Sequence, residues 1–552
     1  MPAPDAPLSR NETIKRESHL LRGGIEDGLA RKVTGAIEED DTQLLKFHGT
    51  YQQDDRDLRP ERGKRRLEKA FSFMVRVRIP GGVLTPAQWL ALDAIARDYG
   101  NGTLRLTSRQ SVQLHGVLKS NLRTVIAAIA AAGLDTRATC GDVNRTVMCT
   151  TAPLPSALHA EVLAIATAIS EHLLPQSSAY QELWLGAEAK ADAGPDGDAE
   201  PIYGATYLPR KFKIGLVVPP ANDVDVLSQD LGFIAVVEGG ALAGFTVTAG
   251  GGMGATHGEP ATYPRLAEPF GFCTPDQVVA VAEAVLRTQR DYGDRADRKH
   301  ARLKYTIADH GLEWFRSEVE ARLGRTLAPP RPFAFTHTGD HFGWSAALST
   351  LTVLVPGGRL TAGEAAPVTE IARRHGGTFR ITPNQNLVIA GIAPDQRSTI
   401  ASVIAGSNLD PAPSPLRGNA MACVALPTCG LALAESERYL PELATDIDGL
   451  LADSGLAGAD ILLRVSGCPN GCSRPYLAEI GLVGRAPGRY DLHLGGAFDG
   501  GRIAPVYRQN LDHGAILDTL APLFRDYAAE RRAGEGFGDF VLRKGYTAPP
   551  ND

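Results

Sequence analysis

The chain has 552 residues, too many for one hydrophobic core, and ordinary domain size divides it into about three or four domains. Its 57 Lys and Arg against 63 Asp and Glu leave a net charge of −6, which argues against a nucleic-acid footprint. The 7 cysteines are odd in number and scattered, unlike a secreted disulfide framework. A charged N-terminus and the lack of any long apolar run argue against export and a membrane span, so a cytoplasmic location is expected.

Residues 1–66 carry dense charge, including the run QQDDRDLRPERGKRR, and few strand signals. They are expected to form an arm that is flexible or ordered by a partner. Residues 73–117 then begin a pattern that returns at residues 351–392: Pro80-Gly81-Gly82 matches Pro356-Gly357-Gly358, Arg105 matches Arg380, and Gln110 matches Gln385. A separation of that size implies duplication of a large unit. Each copy reads as a strand, a Pro-Gly-Gly turn, a helix and a second strand segment. Thr85 with Gln88, and Thr361 with Glu364, have capping-box spacing, and Gly100 and Gly376 are the expected stops.

If residues 103–115 are extended, Arg105, Thr107, Arg109, Ser111, Gln113 and His115 share one face. Only the first copy keeps this polar face, because Val388 and Ala390 replace Gln113 and His115 in the second. Further cationic groups are Arg76 and Arg78, Arg145 in CGDVNRTVMC, and Arg210, Lys211 and Lys213 in YLPRKFKIG. Lys211 and Lys213 alternate onto one face inside an apolar run, an arrangement that attracts anions and can deliver protons. A surface loop is expected at residues 189–201, a turn or an anion-facing run at Gly250-Gly251-Gly252, and helices between 275 and 325.

Cys423 and Cys429 in CVALPTC, with Cys468 and Cys472 in GCPNGC, are two close pairs from two loops. Four thiolates so grouped suit an iron-sulfur cubane. Structural zinc is the alternative, although the first pair exceeds the usual zinc hook of two to four intervening residues. No Rossmann fingerprint stands between a strand and a helix, so the chain is not expected to bind NADPH itself.

Together these segments, from TQLLKFHGTYQQDDRDLR through LRLTSRQSVQLHG, TYLPRKFK and GGGM to SGCPNGCSRPYLAEIGLVGRAPGRYDLHLGG, resemble the sirohaem sulfite and nitrite reductase family. Within that family the likeness is to haemoprotein components of assimilatory NADPH-sulfite reductases. The resemblance implies an α+β, pseudo-two-fold, three-domain fold. Its paired ferredoxin-like repeats would occupy 67–138 plus 337–410, a sirohaem and substrate domain 139–336, and an iron-sulfur cluster domain 411–552. It further implies a [4Fe-4S] cluster on Cys423, Cys429, Cys468 and Cys472, the last also joining the sirohaem iron. Arg105, Arg109, Gln113, His115, Arg302 and Asn470 would hold the sirohaem, with Arg302 standing where a lysine is expected. Arg76, Arg145, Lys211 and Lys213 would hold the substrate anion. The implied reaction is six-electron reduction of sulfite to sulfide for cysteine biosynthesis, with electrons from a diflavin (FAD/FMN) NADPH reductase α subunit or a ferredoxin. Nitrite reduction to ammonia is the nearest alternative, and a non-catalytic zinc or cysteine-cluster protein a more distant one.

Overall fold

The computed structural model describes residues 7–151, 156–186, 198–345, 347 and 349–547, so the loop expected at 189–201 lies outside them as far as residue 197. Four five-stranded sheets make the frame. The first runs β1 (Thr50–Asp54), β2 (Phe71–Val77), β5 (Val112–Val117), β4 (Leu104–Leu106), β13 (Arg359–Leu360). The third repeats it as β11 (Gly343–Ser345), β12 (Thr350–Val353), β15 (Leu387–Ala390), β14 (Thr378–Ile381), β3 (Val83–Leu84).

The edges of these two sheets are exchanged. The short strand after each Pro-Gly-Gly turn leaves its own copy and pairs with the other, β3 on β14 and β13 on β4. Glycine is required at the crossing: a Cβ on Gly82 would stand 2.6 Å from the Ile381 carbonyl, and one on Gly358 2.3 Å from the Leu106 carbonyl, at φ +74° and +77°. Helices Pro86–Tyr99 and Ala362–Ala372 begin at complete capping boxes on Thr85 and Thr361, and Trp89 on the first donates to Thr369 on the second at 3.3 Å. The first stops at Gly100 as expected; the second already ends at Arg373.

The duplication extends further than the sequence pattern showed. The second sheet holds β6 (Met148–Cys149), β7 (Ile214–Val217), β8 (Leu231–Glu238), β9 (Ala241–Ala249) and β10 (Glu268–Cys273) in chain order. The fourth holds β16 (Ala420–Ala422), β17 (Leu463–Ser466), β18 (Ile480–Ala486), β19 (Arg489–Leu494) and β20 (Val506–Leu511) the same way. In each, the first three strands are parallel and the last two antiparallel. Matching registers, Met148 opposite Gly215 and Met421 opposite Arg464, align them residue by residue. By that alignment Thr150 stands where Cys423 does, Pro219 where Cys468 does, and Asp223 where Cys472 does.

Residues 1–66 differ from the expected arm. From residue 7 on they are folded into the molecule: helices Arg10–Glu17, Ile25–Ala30 and Glu39–Leu45 precede β1, which is an edge of the first sheet. Ile25, Leu44, Leu45 and Phe47 enter the core, and buried Lys15 donates to Glu12 and to the Leu208 carbonyl, 2.7 Å away. The charge density concealed this because part of it, above all Lys15 and Glu12, is buried and paired inside the fold. As expected, residues 275–325 are helical, in Val278–Tyr292, Leu303–His310 and Leu312–Leu323.

Candidate active site

Parallel strands β16 and β17 end side by side, so the loops that leave them carry Cys423 with Cys429, and Cys468 with Cys472, to one edge of the fourth sheet. That edge, beyond the carboxyl ends of parallel strands, is the usual place for a ligand in such a sheet. Small residues allow the two loops to close up: a Cβ on Gly467 would meet Ala425 Cβ at 2.5 Å, and one on Gly471, at φ +59°, would press on the Tyr476 ring and the Met253 carbonyl. Gly467 N–H also donates to Cys423 Sγ at 3.3 Å, and all four thiols are free.

The spacing of the sulfurs separates the two metal readings. Four thiolates at about 2.3 Å from one tetrahedral zinc stand about 3.8 Å apart. Among the described residues no three cysteine sulfurs lie within 4.8 Å of one another. The quartet is therefore too open for a single zinc ion, whereas a multi-iron cluster takes thiolates set wider apart. As thiols, Cys423 and Cys468 are pushed up to about 12, first by burial and then by Cys472, and Cys429 is raised for the same reasons. Ligation to iron would relieve this by exchanging the proton for the metal.

Residues 103–115 form a hairpin rather than the single expected strand. Thr107 N–H donates to the Ser111 carbonyl and Gln110 turns the chain at φ +53°. The shared polar face survives because the turn sets Arg105 opposite Gln113, while Gln113 lies opposite Arg76 on the other side. Arg76, Gln113, Arg105 and Arg359 thus make one row across four strands. The Gln113 amide is best satisfied with its oxygen toward Arg76 Nε, 3.0 Å away, and its nitrogen toward His115 Nε2, 3.3 Å away.

Six of the predicted cations have no ion-pair partner among the described residues: Arg76, Arg109, Arg145, Arg210, Lys211 and Lys213. Their neighbours are carbonyls and amides. Arg145 donates to the Gly141 and Thr139 carbonyls, and Arg109 to Gln229 Oε1 at 2.7 Å and the Thr146 carbonyl at 2.6 Å. Phe212 pairs with Asn144 and turns into the core, so Lys211 and Lys213 face away from it, as alternation predicts. Burial first, then Arg210 and Arg302, lowers Lys211 to about 7; burial and Lys211 hold Lys213 far below its ordinary value. Both lysines are within electrostatic reach of the Cys472 thiol. Arg109 Nε and His115 Nδ1 are buried without a hydrogen-bond partner. Unpaired buried cations and orphaned donors are costly unless an anion meets them. This donor set fits a polycarboxylated macrocycle and a small oxyanion.

Arg105 and Arg302 stand apart from that group. Arg105 pairs with Glu437, which also takes Arg359, and donates to the Gly357 and Ala422 carbonyls at 2.9 and 3.0 Å. Arg302 is bidentate to Asp230, and that carboxylate also accepts from Lys213 N–H at 3.0 Å. Asn470 is half-buried in the loop between Cys468 and Cys472. The glycine run is a close-packing device: Gly250 and Gly252 amides are used in backbone pairs, and a Cβ on Gly251 would strike the Leu227 carbonyl. Sequence reasoning missed Glu437, Arg359 and Cys140, whose sulfur lies 3.2 Å from Arg76 Nη1. It also missed Arg474, which joins Asp225 to the Ser108 and Pro383 carbonyls, each 3.1 Å away.

The ferredoxin-like half domain of nitrite and sulfite reductases matches residues 66–132 and 346–405, and the model described as the nitrite and sulphite reductase 4Fe-4S domain matches residues 165–327. A sulfite reductase (NADPH) hemoprotein beta-component of Myxococcus xanthus is 56% identical over 99% of this chain and 98% of its own. The chain belongs to the nitrite and sulphite reductase family. A protein of the same description from Acidithiobacillus ferrooxidans is 55% identical over 99% of this chain and 98% of its own. The solved structure of the Mycobacterium tuberculosis NirA protein superposes with a TM-score of 0.81 at 28% identity, covering 98% of this chain and 97% of that one. Membership implies an oxidoreductase that carries sirohaem and a [4Fe-4S] cluster. The 4Fe-4S match falls on the second sheet, which has the topology of the fourth but none of its four cysteines. Among the described residues no helix is long and apolar enough to cross a membrane.

Proposed function

We propose that this chain reduces sulfite to sulfide by six electrons, as the haemoprotein component of a cytoplasmic assimilatory sulfite reductase serving cysteine biosynthesis. One observation carries the reading: an open quartet of cysteines has Lys211 and Lys213 within electrostatic reach of Cys472, and both belong to a group of cations without an ion-pair partner among the described residues. Cys423, Cys429, Cys468 and Cys472 would hold the cluster, with Cys472, the exposed one, shared with the sirohaem iron. Arg109, Gln113, His115 and Asn470 would contact the sirohaem. Arg105 and Arg302 act one step back, the first fixing the carbonyl beside Cys423 and the second fixing Asp230 beneath Lys213. When bound, the two centres supply the electrons.

Arg76, Arg145, Lys211 and Lys213 bind and orient the substrate by charge-assisted hydrogen bonds. Lysine is the better proton donor of the two cations, because arginine hardly deprotonates. A dianion entering beside Lys211 and Lys213 raises both of their pKa values, so substrate binding draws protons onto the two Nζ atoms. Those protons then stand next to the oxygens that leave as water. The electron donor is a diflavin (FAD/FMN) NADPH reductase α subunit, with a ferredoxin as the alternative, and assays with each donor separate them. The decisive experiment is the visible spectrum of the purified protein with specificity constants for sulfite and nitrite. A colourless protein overturns the cofactor assignment, and a preference for nitrite overturns the substrate.

A further inference from the structure

The two Pro-Gly-Gly turns face different neighbours. A Cβ on Gly357 would meet Glu437 at 3.1 Å, and one on Gly81 would meet Leu163 at 2.3 Å, so Glu437 and Leu163 hold corresponding places in the two halves. Glu437 neutralises Arg105 and Arg359. Leu163 has no acceptor to offer, and Arg380, the counterpart of Arg105, forms no ion pair among the described residues. Its Nε is buried without a hydrogen-bond partner.

Arg380 lines a recess of about 410 Å³ with Ser156, His159, Ala160, Leu163 and Ala164. His159 is only 9% exposed. Its Nδ1 is 2.5 Å from Ser156 Oγ, which caps helix Ala157–His172 by accepting from His159 N–H at 3.2 Å. Ser156 Oγ can donate to Nδ1 while it accepts from that N–H, and in this tautomer Nε2–H is a buried donor with no acceptor. A guanidinium and an imidazole N–H therefore face one space, which runs along the side of helix Ala157–His172. Buried polar groups in folded proteins are rarely left so. The rest of the wall is Ala160, Leu163 and Ala164 with Thr167, whose hydroxyl donates to the Leu163 carbonyl, and the volume lies in the range of small-molecule sites, well beyond what a bare sulfate fills.

We propose that this recess binds a small carboxylate with a short aliphatic body, its carboxylate meeting Arg380 and His159 as Glu437 meets Arg105. The aliphatic part lies against Ala160, Leu163 and Ala164. None of these residues belongs to the cation group above, so the proposal stands independently of the catalytic reading.

The test is calorimetric titration of the cofactor-loaded full chain with isovalerate at constant ionic strength, alone and against sulfate. One saturable site is expected at about 10 mM or tighter, with sulfate a weaker competitor. Arg380→Gln should weaken it at least about tenfold. Leu163→Glu should abolish it, because that side chain supplies from within the carboxylate that the other half already has; its Tm should match or exceed the parent's, and Leu163→Glu combined with Arg380→Gln should lose that stability. Absence of saturable binding to about 50 mM, sulfate binding as tightly as isovalerate, or unchanged binding in Leu163→Glu each overturns the proposal. Leu163→Glu decides the matter even if Arg380→Gln does not fold.

Discussion

The two halves share one frame and divide the chemistry between them. The first supplies the cations Arg76, Arg109, Arg145, Lys211 and Lys213; the second supplies Cys423, Cys429, Cys468 and Cys472. At the positions that correspond to Cys423 and Cys472, the first half has Thr150 and Asp223, joined by a 2.8 Å hydrogen bond. At those that correspond to Arg76, Gln113, His115 and Lys213, the second half has Thr352, Val388, Ala390 and Leu462. Duplication thus provides two equivalent edges, and side-chain choice alone gives one four free cysteines and makes the other a self-satisfied joint. Arg474 ties them together, because it pairs with its own counterpart Asp225 and donates to the Ser108 and Pro383 carbonyls, which also correspond.

The largest effect is expected where the halves differ most. Cys472→Ser should remove or uncouple the iron centres, since oxygen replaces thiolate poorly as a ligand to such centres. Sulfite turnover should fall by more than the ~10–100-fold typical of losing a group that only supports a ligand. Asp223→Asn, the corresponding change in the other half, should leave iron content and spectrum unaltered. Equal iron in Cys472→Ser and the parent breaks the comparison.

Lys213→Met tests the cationic half. It keeps an apolar stem where the second half has Leu462, but removes the ammonium. Cofactor content should survive while turnover of sulfite falls at least about tenfold, with Lys211 compensating in part. Lys211→Met should behave alike, and parental rates with unchanged KM in both variants would return these lysines to ordinary charge.

How much of this was legible in the sequence follows from the range of each interaction. The two cysteine pairs on loops that meet, the capping boxes and the alternation at Lys211 and Lys213 are local patterns, and the structure shows those arrangements. The exchange of β3 and β13 was invisible because a two-residue strand carries no period. The second duplication was hidden because its two copies keep a backbone register while exchanging nearly every functional side chain. The folded N-terminal segment was misread because a charge count cannot show which charges, such as Lys15 and Glu12, are buried against each other. Glu437 escaped notice because its partners Arg105 and Arg359 are far away in sequence and meet only through the strand exchange.

Glu437→Gln measures that joint. It strips the carboxylate from between two arginines and should cost on the order of 3 kcal/mol in urea unfolding of the loaded protein, as does breaking a largely buried pair. Arg380→Gln, at the place in the second copy that Arg105 holds in the first, has no ion pair to lose and should cost distinctly less. Similar losses in the two variants would show that the halves are not balanced differently at this place.

The smallest effect lies at Asp223, where the first half holds a carboxylate in place of a cluster thiolate. It is fully buried; burial first, offset by donors from Thr150 and Thr151 and reinforced by Asp340, pushes its pKa up to about 6. Its folded value therefore exceeds the unfolded value of about 3.9, and the native state binds the extra proton. The sign follows: the stabilisation from this group is complete below pH ~4 and is lost as pH rises through about 6. A difference of about two units corresponds to roughly 2–3 kcal/mol between those limits. Asp223→Asn keeps the shape and removes the titration, so its stability measured by urea unfolding should fall less than the parent's between pH 4 and 7. The two curves should run parallel above pH ~7, where Asp223 is already ionised. Parallel curves across the whole range would mean that this carboxylate is charged throughout, held by Thr150 and Thr151 as firmly as iron would hold the thiolate in the other half.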